Sequence, residues 1–229
     1  MPSVREASVW VVVAAYNEAA VIGRVLADLI ARRYNVVVVD DGSRDATGEI
    51  AAKAGAWVAP HPVNLGQGAA LQTGIKLALA HGATHIVTFD ADGQHRAADI
   101  ARLLEALADS VADFALGSRF LGQSVGMPAG RRWLLRAATA FTRLTTGLKV
   151  TDTHNGLRAM TRRGASRIAL RQNRMAHASE LLEQIARSGL AYVEVPVTID
   201  YSRYSLAKGQ RLADTLMILL DLSAQKLTR

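Results

Sequence analysis

Asp90-Ala91-Asp92, with Gln94 two residues on, carries the densest chemistry in the chain because it follows directly on the apolar run 86–89. Carboxylates avoid the apolar surroundings of a buried strand end unless something neutralises them. Two carboxylates and an amide oxygen form an all-oxygen donor set suited to Mg²⁺ or Mn²⁺, ions that keep waters and accept phosphate oxygens. A helix N-cap is the plainer use of an Asp at such a place, but it accounts for Asp92 alone. His95, next in line, is either a ligand or neighbour of the ion or a polar cap.

A second acidic cluster, Asp40-Asp41-Gly42-Ser43, ends the apolar run 36–39. A carboxylate there can accept from a base N–H or a ribose hydroxyl. A tight strand-to-helix turn, with Gly42 supplying backbone freedom and Ser43 or Asp45 the cap, is equally compatible. Asn64-Leu65-Gly66-Gln67-Gly68 opens a helix, yet it is neither G-x-G-x-x-G nor a P-loop, and its spacing reads as a packing turn. No G-x-S-x-G elbow and no Ser/His/Asp set is present. A metal-carboxylate site, a nucleotide-sized crevice and surplus arginine fit the stabilisation of a diphosphate leaving group by electrostatics and metal.

These clusters need a scaffold that brings strand ends together. The continuous apolar run 9–14 reads as a strand buried on both faces, and short apolar runs at 36–39, 57–59, 86–89 and 114–116 read as further strands. Between them lie helical patterns: Val21, Ile22, Val25, Leu26, Leu29 and Ile30, then a short helix closed by Gly55, one of about 14 residues ending at Gly82, and one over about 98–108. Strands alternating with such helices predict an α/β fold with a mainly parallel central sheet flanked by helices. Ligands in such sheets sit beyond the carboxyl ends of the strands, where the polar clusters fall. Later come helical periodicity over about 131–146 and 162–170, a strand over 192–199 interrupted by Pro196, and a final helix over about 209–226. With no repeat and no linker, the expectation is one domain over 1–229: a nucleotide-sugar and metal half to about 118, and an acceptor half with the C-terminal helix.

Half of the 229 residues are hydrophobic and 21% are charged, which excludes disorder. The absence of cysteine excludes disulfides, thiolate metal sites and a cysteine nucleophile, and suits the cytosol. No run of about 18 uncharged apolar residues exists, and the opening stretch does not read as a secretory signal. The net charge of +7 is uneven: residues 1–118 carry −4, residues 119–174 carry +11 with Asp152 as the lone acid, and the remainder is neutral. A basic central third implies an anionic partner, although a solvated arginine face has the same composition. Nucleic acid is disfavoured, since an aromatic content of 5% is thin for base stacking.

Eight motifs in order resemble the family 2 glycosyltransferases of GT-A fold, nearest to the dolichyl- or polyprenyl-phosphate mannose and glucose synthases. They are Ala14-Ala15-Tyr16-Asn17-Glu18, Val39-Asp40-Asp41-Gly42-Ser43 with Asp45, Asn64-Leu65-Gly66-Gln67-Gly68 and Phe89-Asp90-Ala91-Asp92-Gly93-Gln94-His95. Gly117-Ser118-Arg119, Asp152-Thr153-His154-Asn155-Gly156-Leu157-Arg158, Glu194-Val195-Pro196-Val197 and Tyr204-Ser205-Leu206-Ala207-Lys208-Gly209-Gln210 follow. The resemblance implies that Ala14, Tyr16, Glu18 and Ala91 line the nucleotide pocket and that Val39 and Asp41 hold base and ribose. Asp90, Asp92 and Gln94 would hold the metal, with Asp92 and Arg119 also serving the reaction. Arg119, Arg203 and Lys208, with Arg131 or Arg132, would contact phosphates of donor or acceptor. Position 14 is Ala where the family usually has Pro, and Arg96 replaces a Pro that often follows the Gln-His pair; neither change touches the metal ligands.

The expected activity is metal-dependent, inverting transfer of a hexose from a nucleoside diphosphate sugar to a polyprenyl phosphate at the cytoplasmic membrane face. A phosphate acceptor is already anionic and needs no general base. The alternative is a sugar hydroxyl in polysaccharide or glycolipid synthesis, with Asp152 or Glu180 as base. Arg131, Arg132, Arg136 and Arg143, interleaved with Trp133, Leu134, Leu135 and Phe141, have the composition of a helix lying on an anionic membrane surface. A core helix with solvated arginines has it too. A homodimer or a membrane protein partner is compatible with the same sequence.

Overall fold

The computed structural model describes residues 8–172, 176–202 and 204–205. The expected final helix and two of the expected phosphate-binding residues, Arg203 and Lys208, lie outside these. In the described chain, β1 (Val9–Ala15), α1 (Ile22–Ala31), β2 (Asn35–Asp40), α2 (Thr47–Lys53), β3 (Trp57–Pro60), α3 (Gln67–Ala80), β4 (His85–Asp90) and α4 (Asp99–Asp109) alternate strand and helix. They are followed by β5 (Phe114–Val125), α5 (Ala129–Thr146), β6 (Arg158–Thr161), α6 (Arg162–Ala165), α7 (Ala176–Ser188) and β7 (Tyr192–Asp200). The seven strands form one sheet in the order β3-β2-β1-β4-β6-β5-β7. β6 runs antiparallel to both of its neighbours; the other pairings are parallel.

Both faces of β1 are buried, as its unbroken apolar run requires. Val9, Val11 and Val13 join Leu26, Leu29 and Leu103 on one face, while Trp10 and Val12 join Ile75 and Leu181 on the other. The register then sets the site. Ala14 lies opposite Asp90, and Ala15 opposite Asp40, so β1, β2 and β4 finish level and their polar termini meet along one edge.

The second half departs from expectation in four places. β5 continues nine residues past Leu116, through a register shift between Ser118 and Gln123. The strand over 192–199 is not broken by Pro196, because β7 is an edge strand, where Pro is tolerated. The helix expected over 162–170 is only the four residues of α6, and β6 and α7 were not foreseen.

Leu26 is fully buried between α1 and the sheet, whereas Val111 is 89% exposed. Leu26→Ala is expected to lower unfolding free energy by about 2–5 kcal/mol and Val111→Ala by less than about 0.5 kcal/mol. Chemical denaturation monitored by circular dichroism checks both.

Candidate active site

A cleft of about 400 Å³ opens at the level strand ends and gathers residues from both halves of the chain. Ala14, Ala15, Tyr16 and Glu18 form its floor, continuing from β1. Asp41, Asn64 and Gly66 close one end, Asp90, Ala91, Asp92, Gln94 and His95 occupy the middle, and Arg119, Arg131 and His154 stand at the other end.

The loops that carry these residues are stitched to one another. Asn17 N–H donates to Ser43 Oγ, Glu18 N–H to Thr47 Oγ1, and Ala19 N–H to Asp45 Oδ2, at 2.8–3.1 Å. Gly42, at φ +72, lies against the Val63 backbone; a Cβ there would come 2.6 Å from the Val63 carbonyl carbon. The Asp41 carboxylate accepts from His61 Nδ1 (2.8 Å), Leu65 N–H (2.9 Å) and Gly66 N–H (2.8 Å). The glycine turn before α3 thus spends its N–H groups on a protein carboxylate, in agreement with its reading as a packing turn. Glu18 accepts from the Tyr204 hydroxyl at 2.7 Å, and burial together with that carboxylate pushes the phenol up to about 12.

Asp90 and Asp92 differ in their support. Asp90 accepts from Gln67 Nε2 at 3.0 Å and His95 Nε2 at 2.8 Å. Burial alone would raise its carboxyl, but the His95 hydrogen bond and the charges of His95, His177 and Arg158 outweigh burial and hold it below the usual range. Gly156 sits directly against this carboxylate, in space that any larger residue would take from it. Asp92 accepts one backbone N–H, from Gln94, at 3.0 Å. Burial and then the Asp90 charge raise its carboxyl to about 6, so a second negative charge is costly here.

That imbalance fits a divalent cation. The donors are hard oxygens, and Asp92 has no ion-pair partner among the described residues. Among the described residues no group of three or more His, Cys, Asp or Glu forms a complete metal shell, so an ion held by Asp90, Asp92 and Gln94 would need further oxygens from water or phosphate. His95 bonds Asp90 through Nε2, and its buried Nδ1 has no partner among the described residues. Its geometry is that of a residue orienting Asp90.

At the far end, Arg119 is buried and donates through Nε to Asp152 (2.6 Å), through Nη1 to Tyr201 Oη (2.6 Å) and through Nη2 to the His154 carbonyl (2.6 Å). Arg131 lies over the Tyr201 ring at 5.3 Å. His154 is driven down to about 4 by burial, against Asp152 and with the aid of Arg119, Arg158 and His177, and it donates or accepts at Nδ1 with Thr153 Oγ1 (2.8 Å).

Three expected site residues lie elsewhere. The Val39 side chain is fully buried within the sheet, so any contact it makes with a nucleotide is through backbone. Asp152 is not among the residues that line the cleft, and its carboxylate is engaged by Arg119, Asn155 and the His154 N–H. Glu180 caps the N–H groups of Arg171 and Gln172 at 2.8–3.0 Å, outside the cleft lining. Conversely, Asn64, Gln67 and His154 line the cleft without having been singled out individually, although all three fall inside the quoted motifs. His61 and Tyr201 had no local signal, since their partners are 20 and 82 residues away.

Residues 10–168 match the profile of glycosyl transferase family 2. The chain is 39% identical over 224 residues to an uncharacterised protein of Methanocaldococcus jannaschii, covering 96% of this chain and 92% of the relative. It is 31% identical to the UDP-N-acetylglucosamine–dolichyl-phosphate N-acetylglucosaminyltransferase of Methanococcus voltae, covering 88% and 89%. Among solved structures, glucosyl-3-phosphoglycerate synthase of Mycobacterium tuberculosis, in complex with Mn²⁺ and UDP-glucose, superposes with a TM-score of 0.74 at 22% identity, over 98% of this chain and 79% of that one.

Because the folded state holds His154 neutral to about pH 4 while the unfolded imidazole takes its proton near 6.5, the unfolded state binds more protons in that window. Stability is therefore expected to fall as pH drops from 6.5 toward 4. An NMR titration should give an imidazole midpoint near 4; a midpoint near 6.5 would mean that this end of the cleft is open to water.

Proposed function

Since the chain belongs to glycosyl transferase family 2 and has the GT-A fold, an enzyme by both counts, we propose that it moves a hexose from a nucleoside diphosphate sugar to a polyprenyl phosphate. The single observation that carries the acceptor is the division of charge in the cleft. All four of its carboxylates, Glu18, Asp41, Asp90 and Asp92, stand on the donor side, while Arg119, Arg131 and a neutral His154 stand opposite. A hydroxyl acceptor requires a base, and an imidazole held near 4 is a weak one. A phosphate oxygen is already charged and asks only for cations to bind and aim it. The name of the Methanococcus voltae relative, which acts on dolichyl phosphate, supports the same class.

Asp90, Asp92 and Gln94 would hold Mg²⁺ or Mn²⁺, which when bound supplies positive charge against the diphosphate. The Mn²⁺ and UDP-glucose of the solved relative support that donor and ion. His95 and Gln67 hold Asp90 in place, and Gly156 keeps the space beside it. Asp152, Tyr201 and the His154 carbonyl fix the Arg119 guanidinium in the cleft wall, which Arg131 also lines. The acceptor oxygen forms its bond to the anomeric carbon as the bond to the donor phosphate breaks, its electron pair leaving with the diphosphate; a direct displacement inverts the anomeric centre.

A lipid-linked acceptor lives in a bilayer, and no helix among the described residues is long and apolar enough to cross one. α5 supports peripheral docking at the cytoplasmic face. Leu135, Ala138, Thr139 and Thr142 face the core, and Arg131 turns to the cleft. The outward stripe holds Trp133 (77% exposed), Leu144 (86%) and exposed Arg132, Arg136 and Arg143. This combination suits shallow insertion among anionic headgroups.

Transfer from radiolabelled sugar nucleotides to a short polyprenyl phosphate, in Mn²⁺ and in EDTA, tests the reaction. Asp92→Asn is expected to abolish transfer and metal-dependent donor binding without altering the circular dichroism spectrum; an active variant would refute the metal assignment. The protein should also co-sediment with anionic but not neutral liposomes, less so in high salt. Replacing Arg132, Arg136 and Arg143 by Ser should remove that association and spare transfer to a water-soluble acceptor.

A further inference from the structure

The nucleotide-sugar reading leaves the base open, and the end of the cleft farthest from the arginines limits it. If Asp90 and Asp92 take the diphosphate and Arg119 and Arg131 the acceptor, the nucleoside lies toward Asp41, Asn64 and Gly66. We propose that this end accepts a pyrimidine with one imide N–H, uracil or thymine, and discriminates against guanine. This rests on the donor reading above and specifies its nucleobase.

The reason is the state of the Asp41 carboxylate, the one charged acceptor at that end. A carboxylate offers two acceptor positions on each oxygen. His61 Nδ1 and Leu65 N–H together fill Oδ1, and Gly66 N–H takes one position on Oδ2, at 2.8–2.9 Å throughout. Among the described residues nothing fills the other position on Oδ2. Guanine presents two parallel donors, N1–H and the N2 amino group, which need both oxygens at once, as an arginine fork does. Here the second donor would meet a filled oxygen and remain unpaired, a loss that discriminates strongly. In the pose that points the uracil N3–H at Oδ2, cytosine and adenine present a ring-nitrogen lone pair instead and are repelled, so their amino groups can reach the carboxylate only in a shifted pose. Uracil and thymine present one ring N–H, which matches the one vacancy.

The arrangement is held against rotation. Asp41 is 3% exposed, and the far side of His61 is fixed by Thr73 Oγ1 at 3.0 Å from Nε2. Since Asp41 accepts only, Nδ1 of His61 is a donor in either protonation state. Gly42 presses the strand-end turn against the loop that supplies His61 and Leu65, so Oδ1 cannot swing free without parting the two.

Calorimetric titration of the full chain with UDP, dTDP, CDP, GDP and N3-methyl-UDP, in Mn²⁺ and again in EDTA, tests the proposal without relying on turnover. UDP or dTDP should bind at least about tenfold tighter than GDP and CDP, and N3-methylation should cost about tenfold, because an unpaired buried polar group is what separates them. The order should be the same in EDTA, since the base lies away from the metal carboxylates. His61→Ala frees a position on Oδ1 and should narrow the preference for UDP over GDP. GDP or CDP binding as tightly as UDP, or indifference to N3-methylation, overturns the base assignment and leaves the donor reading intact. An unchanged ratio in His61→Ala overturns the role of His61 in setting it. Binding of none of these nucleotides overturns both readings together.

Discussion

Four carboxylates in one cleft of about 400 Å³ are the constraint on which the rest of the site depends. Left alone they would repel one another and resist burial. Three have donors supplied by the fold: Asp41 from His61 and the turn before α3, Asp90 from His95 and Gln67, Glu18 from Tyr204. Among the described residues Asp92 accepts only the Gln94 N–H, and its carboxyl is the one pushed up, to about 6. The charge is thus least supported at the residue best placed to share a cation with Asp90. A protein interior optimised only for stability would have replaced or paired that carboxylate, so its retention is best explained by something that arrives with the substrate.

The opposite end of the cleft solves the complementary problem of burying a cation. Arg119 is paired with Asp152 at 2.6 Å, both side chains nearly inaccessible, and Tyr201 and the His154 carbonyl take further N–H groups. A buried pair of this kind adds little net stability, because desolvation offsets the attraction. What it does secure is orientation, since a guanidinium held on three sides cannot turn from the cleft. Arg158 lies buried between Asp90 and Asp152, and burial lowers its guanidinium to about 10 against the pull of both acids. One chain segment, from Asp152 to Arg158, therefore serves both ends: it anchors Arg119 and supplies Gly156 and positive charge to Asp90.

Much of the first half of the fold was legible because β1, β2 and β4 are continuous apolar runs and α1 and α4 have a clear period. The local signal and the tertiary burial coincide there, as Val9–Ala15 and α1 illustrate. The second half was not. β6 is four residues with a buried arginine in the middle of the sheet, which resembles no buried strand in composition. β5 runs on through Gly122, Gln123 and Ser124 only because β7 pairs with it. In the site, the types and positions of Asp41, Asp90, Asp92, Gln94 and Arg119 were legible, but not their partners. Asp152 was read as a possible base because acids are scarce in its segment; its pairing with Arg119 had no local signal, the two lying 33 residues apart.

The charge asymmetry of the sequence resolves in the same terms. Residues 119–174 carry +11, yet much of that charge is committed internally. Arg119 and Arg158 are buried behind the cleft, Arg163 is paired with Asp113, and Arg162 donates to the Leu79 and Ala83 carbonyls. What faces outward on α5 is Arg132, Arg136 and Arg143 beside Trp133 and Leu144, on the same part of the chain that sends Arg131 into the cleft. If the acceptor is the lipid phosphate proposed above, a helix that places Arg131 in the cleft and carries cations and apolar side chains on its outer edge would meet both parts of it, the headgroup within and the bilayer without. On that reading the buried arginines serve orientation and the exposed ones of α5 serve attraction, and only the latter would be sensitive to salt.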